Sequence, residues 1–244
     1  MVNPTGTARG VETLRALHHG RAPGDPLVLP GPWDAASART LEAAGTPALA
    51  TPSAGIAHSL GYEDGQVPPE EMFAAIARIT RSVSVPVSAD IEGGYGLAPK
   101  ELVERLLAAG AVGCNLEDSA DGALKDPAEQ ADFLAAVREA AGADVFVNAR
   151  VDTFLRGVAE PEPAIERARR YVAAGADCVY PILAPVDAVP ALRAGIEGPL
   201  NLVAKPDGPA VRELGELGAT RITFGPGLLH ATMGALTAIT SELG

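Results

Sequence analysis

Short apolar runs rich in Val, Ile and Leu recur along this chain, and each alternates with a stretch whose apolar positions keep helical spacing. The junction between the two repeats. Ala43-Ala44-Gly45 precedes Pro47 to Ala50, and Ala108-Ala109-Gly110 precedes Val112 to Asn115. Ala140-Ala141-Gly142 precedes Val145 to Asn148, Ala173-Ala174-Gly175 precedes Cys178 to Tyr180, and Leu217-Gly218 leads into Arg221 to Phe224. Each glycine stands where a helix closes on a left-handed residue just before a strand. Such alternation implies parallel strands joined by crossover helices.

The pattern predicts strands beginning near Leu27, Pro47, Val85, Val112, Val145, Cys178, Leu200 and Arg221. Helices are expected over 35–44, 69–82, 99–109, 127–141, 161–174, 186–194, 209–217 and 227–243. Several carry proline in the first turn, where its missing N–H costs nothing. A further helix near Ala8 to His18 lies within a leading segment, residues 1–25, that caps the barrel floor. Eight units without a linker point to one domain over 1–244, an α/β fold of the single (β/α)8 TIM barrel class, with an open doubly wound sheet as the rival. The last helix is apolar at Leu228, Leu229, Met233, Leu236 and Ile239, with Glu242 as its one charge. Such a face should not be left in water, and the plain account is that it packs as the eighth outer helix of its own barrel.

Composition narrows the class. The chain has 244 residues, and barrels of this kind take about 250. A net charge of −12, with the acids dispersed, argues against nucleic acid, which needs a basic face. There is no apolar run of about 18 residues and no signal-peptide pattern, so a cytoplasmic protein without a membrane partner is expected. Cys114 and Cys178 both lie in apolar runs without zinc-site spacing, and are expected as two buried free thiols.

In a closed barrel, chemistry collects at the C-terminal ends of the strands. Those ends read Gly31-Pro32-Trp33-Asp34, Thr51-Pro52-Ser53-Ala54-Gly55, Asp90-Ile91-Glu92-Gly93-Gly94-Tyr95-Gly96, Asn115-Leu116-Glu117-Asp118, Asn148-Ala149-Arg150-Val151-Asp152 and Gly225-Pro226-Gly227. Asp90 and Glu92, two apart, would share one side of a regular strand. With Asp64, Glu117 and Asp118 they gather acids at one mouth, which repel unless a hard divalent cation joins them. Arg150 would face the same mouth, where its fork suits a carboxylate or phosphonate; the alternative is an ion pair with a barrel acid. Small residues at Ser53, Ala54 and Gly55 let backbone N–H groups approach an anion, or simply form a tight turn. The glycine loop after Glu92 lacks the Lys-Ser/Thr of a nucleotide P-loop. His18, His19 and His230 are expected at the surface or in packing, leaving His58 as the histidine nearest the site.

At these positions the chain resembles the isocitrate lyase/phosphoenolpyruvate mutase superfamily, from about Leu27 to its end. The resemblance is carried by Trp33-Asp34-Ala35-Ala36-Ser37-Ala38, Asp90 to Gly96, Asn115 to Asp118 and Asn148 to Asp152. It implies a Mg²⁺-dependent barrel (with Mn²⁺ as an alternative ion), a homotetramer built as a dimer of dimers, and exchange of the last helices between dimer partners. By similarity, Asp90 is the direct metal ligand, and Asp64, Glu92 and Glu117 hold the metal's waters. Asp64, Glu117 and Arg150 then form the catalytic set. Trp33, Asp34, Ser53, Ala54, Gly55, Asn115 and Arg150 form the substrate-binding set. The lyase branch carries a Lys-Lys/Arg-Cys-Gly-His gate after the fourth strand. Here Ser119 to Asp126 holds neither Cys nor His, and Lys125 is its only cation.

The reading that follows is a lyase-type enzyme that makes or breaks a C–C bond in a small 2-oxo acid or dicarboxylate through a metal-stabilised enolate. P–C bond rearrangement or hydrolysis of a phosphonopyruvate-like substrate uses the same enolate and metal. Two readings of other kinds are a barrel that binds a 2-oxo acid without turnover, and a phosphate-binding barrel using Gly225 to Gly227.

Overall fold

The computed structural model describes residues 4–243. The chain opens with α1 (Pro4–His18), followed by β1 (Leu27–Val28), α2 (Ala35–Ala43), β2 (Leu49–Thr51), α3 (Ser53–Leu60), α4 (Pro69–Thr80), β3 (Val87–Asp90), α5 (Pro99–Ala108) and β4 (Gly113–Glu117). A hairpin of β5 (Ser119–Ala120) and β6 (Ala123–Leu124) comes next. Then follow α6 (Pro127–Ala141), β7 (Phe146–Val151), α7 (Pro161–Ala173), β8 (Cys178–Pro181), α8 (Val189–Gly195), β9 (Asn201–Val203), α9 (Val211–Glu216), β10 (Arg221–Thr223) and α10 (Gly227–Ser241).

Apart from the hairpin, all strand pairs are parallel. β2-β3-β4-β7-β8 form a curled sheet of five and β1-β10-β9 a sheet of three, with no reversal of order inside either. A parallel bridge between Val179 and Leu200 joins the two sheets. On the far side, the Ala50 N–H donates to the Pro30 carbonyl at 3.2 Å. Each of the eight sequence-assigned strands is present, starting within two residues of its expected position. The helix ends follow the glycines: Gly110 and Gly175 take φ of 82° and 98°, in the left-handed region. Gly142 departs from this rule, with ψ of −121°.

Two expectations are corrected. The segment after β2, read as a loop, contains α3, whose first turn is Ser53-Ala54-Gly55. The segment expected as one helix over 186–194 begins with a 3-10 turn, Val186–Ala188, before α8. Pro190 explains the change, since it removes the N–H that a continuous α-helix would use there.

The core divides between the outer shell and the floor. Leu, Ile, Val and Ala from the outward faces of the strands pack under α4, α5, α6 and α7. Val11 and Leu14 of α1 close the floor with Leu27, Leu29, Ala48, Val112, Phe146 and Cys178. α1 approaches closely because residue 113 is glycine: a Cβ there would meet Leu14 Cδ2 at 2.9 Å and Ser88 Oγ at 3.1 Å. Cys114 and Cys178 are free and buried, and burial pushes each thiol up to about 12. Among the described residues no helix is long and apolar enough to cross a membrane.

Candidate active site

Strand alternation selects which side chains face inward. On β3 these are Ser88 and Asp90, on β4 Gly113, Asn115 and Glu117, and on β7 Asn148 and Arg150. Register places Asp90 opposite Asn115, Asn115 opposite Asn148, and Glu117 opposite Arg150. Three of the residues expected at the mouth are therefore brought together by pairing alone.

Asp90 is buried, 8% exposed, and its backbone N–H donates to Thr51 Oγ1 at 3.2 Å. Burial raises its carboxyl pKa and Arg150, with Nη1 3.9 Å from Asp90 Oδ2, works the other way. Glu92 does not share Asp90's strand face as its spacing suggested, because β3 ends at Asp90. It takes a left-handed φ of 52° and turns its N–H back onto Asp90 Oδ1 at 3.2 Å. Its Oε1 is buried without a partner, and burial together with Asp90 and Asp64 pushes its pKa up to about 7. Glu117 forms an ion pair with Arg150 Nη2, yet burial still pushes it up to about 8.

Asp118 is not a mouth acid. It sits one step along from Glu117, so it points outward, where Oδ2 accepts from Tyr171 Oη at 2.7 Å and Arg167 Nη1 at 3.0 Å on α7. Asp64 is exposed and takes part in no ion pair within 4.0 Å among the described residues. It acts on Asp90 and Glu92 only through its charge.

Arg150 departs from the open fork expected of it. Nε and Nη2 donate side-on to the Asp152 carboxylate, at 2.7 and 2.8 Å, so one edge of the guanidinium is already paired. The ion-pair alternative thus describes the resting state. Nη1 is the terminus left toward Asp90. Ser53, Ala54 and Gly55 form the first turn of α3, whose first internal bond runs from the Ile56 N–H to the Pro52 carbonyl at 3.1 Å. Their own N–H groups are thus the unpaired donors of a helix N-terminus.

The remaining expected residues line the surroundings of the mouth, and Trp33 Cβ lies 3.5 Å from where a Cβ on Gly55 would be. Asp34 is exposed and caps α2, accepting from the Ser37 N–H at 2.7 Å. With the half-buried Trp33 it lines a groove of about 610 Å³ whose other wall is α10. His58 meets His230 of α10 edge to face, with ring centroids 6.4 Å apart. Asn115 is in place under the mouth: its Oδ1 accepts from Asn148 Nδ2 at 2.8 Å and faces Arg221 Nη2 at 3.5 Å.

Asp152 and Arg221 carried no expected site role, and Lys125 was expected only as the cation of the segment after β4. Asp152 was detectable only as an acid two residues after Arg150, just past the end of β7. Lys125 donates to the Glu117 carbonyl at 3.3 Å and borders a cavity of about 720 Å³ shared by Glu92, Tyr95, Glu117 and Phe133. Gly93 makes room for it, since a Cβ there would lie 3.0 Å from Lys125 Nζ. Arg221 is fully buried inside the strands, and no sequence pattern marked it.

Among the described residues, no three His, Cys, Asp or Glu side chains converge as a metal cage, so the four-acid ligand set is not preformed. The donor chemistry still fits a hard ion. Asp90, Glu92 and Glu117 are oxygen donors, mutually repelling, with one orphaned oxygen at Glu92. Mg²⁺ takes one or two carboxylates and keeps several waters, so it needs no cage.

Comparison with known proteins shows which family the chain resembles. A family model for phosphoenolpyruvate phosphomutase matches residues 14–243. An uncharacterized protein of Mycobacterium tuberculosis is 38% identical over 211 residues, covering 86% of this chain and 80% of that one. A 2-methylisocitrate lyase of Aeropyrum pernix is 36% identical over 168 residues, 64% of this chain and 54% of that one. The crystal structure of a "putative phosphonomutase" from Burkholderia cenocepacia superposes with a TM-score of 0.89 at 39% identity, covering 96% of this chain and 99% of that one. The chain belongs to the phosphoenolpyruvate phosphomutase family, within the isocitrate lyase/phosphoenolpyruvate mutase superfamily.

Proposed function

We propose that the protein is a Mg²⁺- or Mn²⁺-dependent enzyme that makes or breaks a C–C bond in a small 2-oxo acid or dicarboxylate. The observation that carries this reading is the juxtaposition of buried Asp90 with Arg150 Nη1, flanked by Glu92 and Glu117. Asp90 would hold a metal there directly, Glu92 and Glu117 would hold its waters, and Asp64 would add charge at the rim. When bound, the ion supplies a Lewis acid for the negative charge that develops on the 2-oxo oxygen as the bond breaks.

The chain's own groups do the rest. Arg150 Nη1 and the N–H groups of Ser53, Ala54 and Gly55 hold the substrate carboxylate. Asn115, oriented by Asn148, offers a neutral polar wall beneath it. The sequential strand order, the Val179–Leu200 bridge and the Ala50–Pro30 hydrogen bond support one closed (β/α)8 barrel forming a single domain, since a doubly wound sheet reverses its order. The apolar, exposed α10 supports a homo-oligomer, a dimer of dimers in which this helix docks on a partner.

A second reading, P–C bond cleavage or rearrangement in a phosphonopyruvate-like substrate, is favoured by one observation. The segment after β4 carries Lys125 and no Cys or His for acid–base work on a C–C lyase substrate. A screen of oxaloacetate, phosphonopyruvate, branched malates and isocitrates with Mg²⁺ separates the two. Pyruvate or another 2-oxo acid released from a malate or isocitrate supports the first reading, and phosphate or phosphoenolpyruvate formed from phosphonopyruvate supports the second. Binding without turnover of any of them would overturn both and leave a non-catalytic binder.

A further inference from the structure

We propose that Asp152 is a positioning residue that decides which edge of Arg150 meets the substrate, and that it couples this edge to the β5–β6 hairpin. The inference rests on the reading of Arg150 as the carboxylate contact.

Asp152 lies just past the end of β7, is fully buried, and faces the Arg150 guanidinium directly. Two parallel bonds, Nε to Oδ1 at 2.7 Å and Nη2 to Oδ2 at 2.8 Å, use the edge that side-on recognition of a substrate carboxylate would need. Arg150 can therefore present only its Nη1 terminus, on the side of Asp90. Without that partner the guanidinium would be held only by its two other anions, Glu117 at Nη2 and Asp90 near Nη1, and neither fixes its Nε edge.

Asp152 is itself held from two directions. Its N–H donates to Asp118 Oδ1 at 2.8 Å, and Asp118 is fixed by Tyr171 and Arg167 of α7. Its Oδ2 accepts from Ser119 Oγ at 2.5 Å, and Arg156 Nη2 donates to the same Ser119 Oγ at 3.1 Å. Ser119 is the first residue of the hairpin that stands beside the cavity shared by Glu92, Glu117 and Lys125. The hairpin and the clamp thus share one carboxylate. Moving the hairpin breaks the Ser119 bond, and turning Arg150 breaks two bonds to the same group.

The test uses the intact protein with Asp152→Asn and Ser119→Ala. The first readout is the ¹H–¹⁵N resonance of the Arg150 Nε–H, assigned by its loss in Arg150→Lys. It is expected to be protected in the wild type, shifted and exchange-broadened in Asp152→Asn, and shifted in Ser119→Ala. The second readout is oxalate titration in Mg²⁺, where Asp152→Asn is expected to bind about tenfold more weakly, the scale of an outer-shell partner. A purely structural Asp152 would lower the melting temperature and leave both readouts at wild-type values, which overturns the proposal. If the wild type does not bind oxalate, the carboxylate reading of the site falls and the Arg150 resonance alone decides. If Asp152→Asn does not fold, an unmoved resonance in Ser119→Ala overturns the coupling.

Discussion

Arg221 Nη2 stands 3.5 Å from Asn115 Oδ1, and among the described residues that is the one side-chain partner of a fully buried cation. Its Nε and Nη1 have none, and burial lowers its pKa. A buried charge without an opposite charge in contact costs stability, and a well-packed apolar replacement often recovers it. Arg221→Met is therefore expected to raise the unfolding free energy by about 1–3 kcal/mol. Urea unfolding measures this, and a loss of more than about 1 kcal/mol would show that the guanidinium is stabilising as it stands.

His18 gives the protein an acid limb. Its ring stacks on Phe146 with centroids 4.1 Å apart, and its Nδ1 lies 2.7 Å from the Leu14 carbonyl. Burial first, then Arg221, holds its pKa down at about 3, against 6.5 when unfolded. Below pH 6.5 the unfolded chain gains a proton that the folded chain refuses, so stability present at pH 7 is lost as pH falls toward 3. At pH 5 the loss from this one group is about 2 kcal/mol. Denaturant unfolding at pH 7 and pH 5 is expected to show the difference, and His18→Phe to remove it. Equal slopes in the two proteins would place the acid limb elsewhere.

The βα rhythm was legible because five of the helix-to-strand junctions carry a glycine and each strand is a short apolar run, both local signals. Asp90, Glu117, Arg150 and Asn115 were legible as well, since they fall at strand ends where inward alternation and parallel register bring them together. Glu92 and Asp118 were misplaced for opposite reasons. β3 stops before Glu92, so the period of two no longer applies there; Asp118 lies one residue past β4, where its N–H still donates to the Arg150 carbonyl at 3.2 Å and its side chain turns to Tyr171 of α7. Arg221 was invisible because nothing local distinguishes a buried arginine from a surface one on a three-residue strand. Asp34 also caps α2, a role that Ser37, three residues on, signals in the sequence.

The C-terminal helix leaves Leu236 53% and Ile239 59% exposed, and Leu229 is its only buried residue. An apolar face of this kind is expected to be covered by another copy of the chain. Light scattering should return a multiple of the 24.8 kDa chain mass, and Leu236→Glu with Ile239→Glu should lower it. A wild-type monomer that persists on concentration would contradict the assembly.

The central claim is that Asp90 holds a divalent ion at the mouth between Arg150 and Glu117. Calorimetric titration of Mg²⁺ into the wild type and Asp90→Ala tests it most directly, with circular dichroism as a check on the fold. The account predicts saturable binding to the wild type, no binding to the folded variant, and an apo melting temperature for the variant at or above the wild type's, because one of three repelling acids is gone. Wild-type Mg²⁺ affinity in a folded Asp90→Ala protein would contradict it.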